Sequence, residues 1–236
     1  TTLDDEMVGT LSIYTRFSND KDVFPSGESR MLSRELADLI QTQIVDDVRA
    51  QYEDRWPRRG LWDRSYSESR TPEIPSMLLE LLSHQNLADM RYGADPRFRF
   101  VVSRAIYKAM LRFQSQRYGF DYVVQPLPVN SFAAVLEDKG GDKPCVRLSW
   151  KPVDDPTEPT ASPESYIVYY NVEGGEAGHR VVSPKEGTSI TMEIEADAIY
   201  SFKVVAVNKG GVSFPSEELS VGTTSDRKNN YTVLVM

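Results

Sequence analysis

Cysteine occurs once in the 236 residues, at Cys145, and histidine only twice, at His84 and His179. A single thiol closes no disulfide within the chain, and in an apolar context it reads as core filler rather than a nucleophile. One histidine in each half, with no second ligand beside it, makes no zinc site. No apolar run is long enough to span a bilayer. Positive charge is not in excess either. The formal net charge is −8, and neither half is basic, which excludes the electrostatic footprint of a nucleic-acid binder. Lysine is almost missing up to Pro128, where 15 of 17 basic residues are Arg, against 19 acidic ones. From Val129 on, 7 of 10 basic residues are Lys, against 16 acidic ones. That shift marks two separately evolved units, and the length suits two ordinary domains. The chain opens "TTLDDEMVGT", with no initiating Met and no signal peptide, so we expect a processed or excised piece of a longer protein.

What is present divides at "VVQPLPVN", where two prolines coincide with the change of composition. We place the first unit at 1–124, a linker at 125–130, a second unit at 131–224 and a tail at 225–236. In the first unit "GTLSIYT" reads as a strand, with Leu11 and Ile13 on one face and Thr10, Ser12 and Tyr14 on the other. Leu32, Leu36, Leu39, Ile40, Ile44 and Val48 keep the helical period over 30–52. The stretch 53–73 reads as irregular, Arg-rich and aromatic. "IPSMLLELL" has apolar residues on both faces, which predicts a strand in the middle of a parallel sheet. Asp95 and Pro96 open a second helix and Gly119 suits its end. Strand and helix in alternation predict an α/β fold, a partial and mostly parallel sheet with flanking helices. Two strands do not make a stable open sheet of that kind, so the remainder would come from upstream sequence or another chain.

Beyond the linker the pattern is all β. "SFAAVLE", "CVRLSW", "SYIVYYNV", "HRVVS", "SITMEI", "YSFKVVAVN" and "EELSV" are short strands separated by turn residues. Seven such strands predict an all-β immunoglobulin-like sandwich. "VRLSWKPV", "YIVYY" and "YSFKVVAVNKGGVSFPSEELSV" together resemble a fibronectin type III domain. In that resemblance Trp150 is the core tryptophan of the second strand and Tyr200 the corner tyrosine, both packing residues. No Arg-Gly-Asp stretch suggests an integrin-type contact. The tail "NNYTVLVM" is a stray apolar strand, suited to opening a further segment or pairing with an exposed edge.

Within "PSMLLELLSHQN" (75–86) the nearly unbroken apolar run carries one carboxylate, Glu80. A buried carboxylate is costly unless something pairs with it or uses it. "RRGLWDRSYSESRTPEIPSMLLELLSHQNLADM" resembles the C-terminal half of zinc-dependent N-acetylmuramoyl-L-alanine amidases. Arg59-Gly60 fits that family's turn, Arg70 the end of its irregular segment, Pro75 its link, Glu80 its strand-terminal glutamate and Asn86 the asparagine six residues on. The chain departs from the family at Leu82-Ser83, where Gly-Phe is usual, and at His84-Gln85, where a small apolar residue and Ser are usual. The family's zinc ligands, two histidines and a glutamate, would all lie ahead of "GTLSIYT". The resemblance therefore implies zinc as cofactor, held by a missing N-terminal half of the domain, and implies no metal ligand in this chain.

The same resemblance makes Glu80 the catalytic proton shuttle of amide hydrolysis. A carboxylate at the C-terminal end of a parallel strand suits that role, since ligands of open α/β sheets bind at that edge. The plainer reading is an ion pair with one of the many arginines. Arg70 and Asn86 are candidate substrate contacts, and Trp62, with Trp56 and Tyr66, is suited to stacking on sugar rings or to loop packing. His84 and His179 read as ordinary hydrogen-bonding or exposed residues. "DDPTEPTASPES" lacks the alternating carboxylates and central Gly of a calcium loop. The expectation is a piece of an exported bacterial peptidoglycan hydrolase, working outside the cytoplasm, inactive alone, with a fibronectin type III module. Peptidoglycan or another cell-surface glycan would be the partner, and no nucleic acid and no membrane span are involved. The alternative is a non-catalytic surface scaffold or glycan binder, or a polysaccharide-degrading surface protein, built on a degenerate amidase-like domain.

Overall fold

A computed structural model describes residues 6–137 and 143–222, together with the backbone of 232–234. The chain forms two compact units, Thr1–Tyr122 and Val123–Met236.

The first unit is a three-stranded sheet backed by two long helices. Its elements are β1 (Thr10–Tyr14), α1 (Met31–Gln51), β2 (Arg58–Asp63), α2 (Ser67–Arg70), β3 (Leu78–Glu80), α3 (Leu87–Gly93) and α4 (Pro96–Tyr118). The sheet order is β2-β1-β3. β1 and β2 run parallel, and β3 pairs with β1 antiparallel, placing Leu11 opposite Glu80 and Ile13 opposite Leu78. This corrects the expectation of a mid-sheet parallel strand: β3 is an antiparallel strand at the edge of the described sheet. The connection explains it. The chain leaves β2 beside Tyr14 and enters β3 beside Ile13, at the same end of the sheet. The only helix between them, α2, has four residues and rises about 6 Å, too little to carry the chain back for a parallel return. Apolar residues on both faces report burial, not direction.

β2 lies inside the stretch read as irregular, a second correction. Its sequence RRGLWD is largely exposed, and a charged edge strand resembles a polar loop when only hydrophobicity is read. Leu79 and Leu81 turn toward the helices, where Ile40, Ile44 and Val48 of α1 meet Phe98, Val102, Ala105 and Ala109 of α4 around a fully buried Trp56. The Trp56 indole donates to Thr10 Oγ1 at 3.0 Å, and its ring meets Tyr92 and Phe98 at 5.3 and 5.6 Å. Between the helices, Lys108 Nζ lies 2.7 Å from Asp47 Oδ2 with both side chains 1% exposed, and Gln43 donates to Asp47 Oδ1 at 2.9 Å. α4 has the ends its sequence signals: Asp95 accepts from the Arg97 N–H, Pro96 fills the first turn, and Gly119 closes the helix at φ 68°.

The second unit is a two-sheet sandwich. β4 (Asn130–Glu137), β5 (Cys145–Lys151) and β8 (Ser189–Glu193) make one sheet in the order β4-β5-β8. β6 (Ser165–Val172), β7 (Ala177–Val182), β9 (Ile199–Asn208), β11 (Leu219–Gly222) and β12 (Thr232–Leu234) make the other, in the order β12-β11-β9-β6-β7, with β10 (Gly211–Val212) folded back on β9. Inward residues alternate along the strands: Val146, Leu148 and Trp150 from β5 face Tyr166 and Val168 from β6 and Tyr200, Phe202 and Val204 from β9. The Trp150 ring meets Tyr166 edge-on at 5.3 Å. The Tyr200 hydroxyl accepts from the Glu195 N–H at 3.1 Å, tying the corner before β9. Cys145 is buried. The tail strand β12 pairs with the edge strand β11.

Candidate functional site

α1 and α4 cover one face of the first unit's sheet. The opposite face carries Leu11, Ile13, Leu78 and Glu80, because paired residues share a face and Leu79 and Leu81 point into the helical core. Glu80 is the last residue of β3, but because β3 runs antiparallel it lies beside Leu11 near the start of β1, at the opposite edge of the sheet from the carboxyl ends of β1 and β2, which corrects its expected place at the carboxyl edge of a parallel sheet. Its side chain is 45% exposed, which corrects the reading of a buried carboxylate. The apolar letters around it belong partly to the other face and partly to the turn after the strand, so the run does not enclose it. Its nearest cation is Arg59, with Nη1 4.0 Å from Oε2. That is the outer limit of an ion pair rather than a hydrogen-bonded one, so the carboxylate keeps lone pairs free for a proton.

Arg59 also stands 5.6 Å from the centre of the Trp62 ring, and Arg64 stands 6.0 Å from it. Trp62 pairs with Ile13 across β1 and is 43% exposed. Glu80, Arg59, Trp62 and Arg64 thus make an exposed strip of charge and aromatic surface. Trp56, named with Trp62, is wholly enclosed in the helical core, which fits the packing alternative and leaves no face for a sugar. Tyr66 is exposed just before α2.

The remaining candidates lie apart. Asn86 caps α3: its side chain accepts from the Asp89 N–H at 2.9 Å and donates to Glu6 O at 2.8 Å. Asp89 in turn accepts from the Val8 and Ser83 N–H groups at 2.9 and 2.8 Å. Asn86 is therefore buried and engaged in fastening the segment before β1 to the turn after β3. Arg70 ends α2, is exposed, and donates to Ser65 Oγ at 3.0 Å. It borders a cavity of about 500 Å³ walled by 18–30 and 70–73. His84 and His179 are exposed, and His179 lies beside Tyr169 with ring centres 6.0 Å apart.

Among the described residues no group of three His, Cys, Asp or Glu side chains converges to hold a metal ion. The described residues do not fit a zinc cage, and none of the chemistry below is routed through one. No described helix is long and apolar enough to cross a membrane.

Sequence reasoning missed Arg59, the cation nearest to Glu80, and the buried Arg30. One signal pointed to Arg59: it lies in the Arg-rich, aromatic stretch 53–73 that precedes the strand of Glu80. Arg30 sits before a helix among other charged residues and has no such signal.

The family comparison bears on the second unit. The fibronectin type III domain model matches residues 136–222, and these residues form a fibronectin type III domain, in keeping with Trp150 in the core and the Tyr200 corner. Solved structures similar to the chain include the FN1–FN3 domains of chicken CNTN1 (18% identity, 42% of this chain and 31% of that chain, TM-score 0.35). Others are the FN5 domain of Drosophila Lar (18%, 42% and 98%, TM-score 0.33) and the twitchin kinase region of C. elegans (25%, 45% and 18%, TM-score 0.34). The chain thus spans about a third of the chicken structure's chain and nearly all of the Drosophila one. No curated protein matches the chain.

Proposed function

We propose that the first unit is the C-terminal part of an N-acetylmuramoyl-L-alanine amidase-like domain, and that the complete protein is an extracytoplasmic hydrolase of peptidoglycan carrying a fibronectin type III accessory module. The observation that carries this reading is Glu80: a half-exposed carboxylate at a strand end, loosely attended by Arg59, whose guanidinium also stands 5.6 Å from the exposed Trp62 ring. In amide hydrolysis Glu80 takes the proton of the attacking water and passes it to the leaving amine. Trp62, flanked by two guanidinium groups, offers an apolar face to a sugar ring.

That exposed tryptophan also favours a second reading, in which the same face holds a cell-surface glycan without cutting it. The test uses the complete protein with its upstream sequence, comparing wild type with Glu80→Gln for release of peptide from purified cell-wall sacculi and for sedimentation with them. The amidase reading expects release to fall by roughly 10²–10⁴-fold with binding retained. Equal release by both removes Glu80 from the mechanism. Binding without release by the wild type establishes the glycan-binding reading instead.

A further inference from the structure

At the other end of β1 from Glu80, about 13 Å along the strand, the chain builds a second concave feature whose electrostatics the amide chemistry does not use. Residues 18–30 fold into two stacked turns. Ser18 and Lys21 exchange backbone hydrogen bonds across Asn19 and Asp20, both at positive φ (50° and 60°), the geometry of a tight two-residue reversal that Asn and Asp tolerate. Phe24 N–H bonds to Glu28 O, and Gly27, at φ 88°, closes the second turn on Phe24 O. Facing these turns is the segment 70–73, and between them lies the cavity of about 500 Å³.

Three cations border it, Lys21, Arg30 and Arg70, against one carboxylate, Glu73. Arg30 is 3% exposed. It donates to Thr15 O, Ser69 O and Arg70 O and lies 4.6 Å from the centre of the Phe24 ring. All four partners are electrically neutral. The carbonyls satisfy its N–H groups and leave its charge uncompensated, and burial disfavours the charged form. A buried charge without a counter-ion is costly, and a cavity beside it offers the place where one can sit. Arg70 reaches only a neutral hydroxyl, Ser65 Oγ. Lys21 and Glu73 enter no ion pair among the described residues. Asp20 and Asp22 flank Lys21 in sequence but do not line the cavity, and Glu28 is taken up by Arg117. Around the cations, Asn19 and Thr71 bring polar groups, while Val23, Phe24 and Pro72 bring apolar wall.

We propose that this cavity binds a small organic anion, whose carboxylate or phosphate group sits between Lys21 and Arg70 above the Arg30 guanidinium and whose carbon skeleton lies on the Phe24 side. The inference does not rest on the role assigned to Glu80. Loss of the amidase activity would leave it standing, and its own failure would leave the amidase reading untouched.

The test is calorimetric titration of the whole chain with citrate and, separately, with inorganic phosphate, at low ionic strength near neutral pH in a cationic buffer. Triethyl citrate serves as the uncharged control. We expect saturable one-to-one binding of at least one anion with Kd below about 1 mM, and none of the ester. The affinity falls by about tenfold in Arg70→Gln and in Lys21→Gln, each having lost one charge-assisted contact. Both side chains are exposed, so both variants keep the wild-type circular dichroism. Lys209→Gln, in the other unit, binds as the wild type does. Tighter binding of citrate assigns a carboxylate ligand, and tighter binding of phosphate assigns a phosphate ester. Absence of saturation by either anion at about 10 mM, or undiminished affinity in a folded Arg70→Gln chain, overturns the proposal.

Discussion

Replacing Lys108 by Met tests the interior of the first unit directly. Lys108 and Asp47 form an ion pair in which both side chains are only 1% exposed, and it bridges α1 and α4. Methionine fills nearly the same volume, so packing changes little while Asp47 keeps a buried charge whose ammonium partner is gone. Removing one member of such a pair costs about 3–5 kcal/mol. Gln43 still donates to Asp47 Oδ1 in the variant, a bond worth about 1 kcal/mol. The assay is amide hydrogen exchange followed by mass spectrometry on the whole chain. The slowest peptides of α1 and α4 should exchange faster by roughly two to four orders of magnitude, while those of β5, β6 and β9 serve as an internal standard and do not change. The double variant Asp47→Leu/Lys108→Met should recover to within about 2 kcal/mol of wild type, since a well-packed apolar pair commonly replaces a buried ion pair at little cost. A change below tenfold in Lys108→Met, or a double variant as weak as the single one, would refute the reasoning. Either result would mean that water reaches the pair.

Three further outcomes follow from the same contacts. Trp56→Phe loses the bond to Thr10 Oγ1 and part of a buried ring, and should destabilise the first unit by about 2–3 kcal/mol in urea unfolding followed by exchange of α4 peptides. Tyr200→Phe removes only the hydroxyl that accepts from the Glu195 N–H and should cost about 1 kcal/mol, seen in β9 peptides alone. Hydrogen bonds from the Arg97 side chain and N–H hold the Asp95 carboxyl below the usual carboxylate range. A lowered folded-state value means stability that is present above about pH 4 and lost as pH falls through the folded-state value. Thermal melts should accordingly show the advantage of wild type over Asp95→Ala at pH 7 shrinking steadily below about pH 4.

Much of the architecture was legible because it rests on period and punctuation. The α4 stripe with Asp95, Pro96 and Gly119 at its ends, and the seven strands of the fibronectin type III domain, carry their signals locally. What was not legible depends on where distant segments arrive. The antiparallel entry of β3 follows from both ends of the 64–77 connection lying at one end of the sheet, which no window of sequence contains. β2 was hidden because its exposed arginines carry no hydrophobic alternation. The exposure of Glu80 was misjudged because a run of apolar letters does not say which of them share its face. The buried Lys108 could have been noticed: it is one of only two lysines before Pro128, and it sits within the apolar stripe between Ala105 and Ala109. Arg30 could not, since its worth comes from three carbonyls in two remote segments.

The three residue pairs joining β1 to β3 have a practical corollary. Moving that ladder by a single position would thrust the Glu80 carboxylate among Trp56, Phe98 and the aliphatic residues of α1, and would turn Leu79 out to water. The alignment is thus enforced by the leucines on either side, and the acid contributes almost nothing to holding it. Glu80 is therefore a position where a carboxylate can be removed without disturbing the scaffold. An inactive Glu80→Gln protein would have lost its reaction and not its shape.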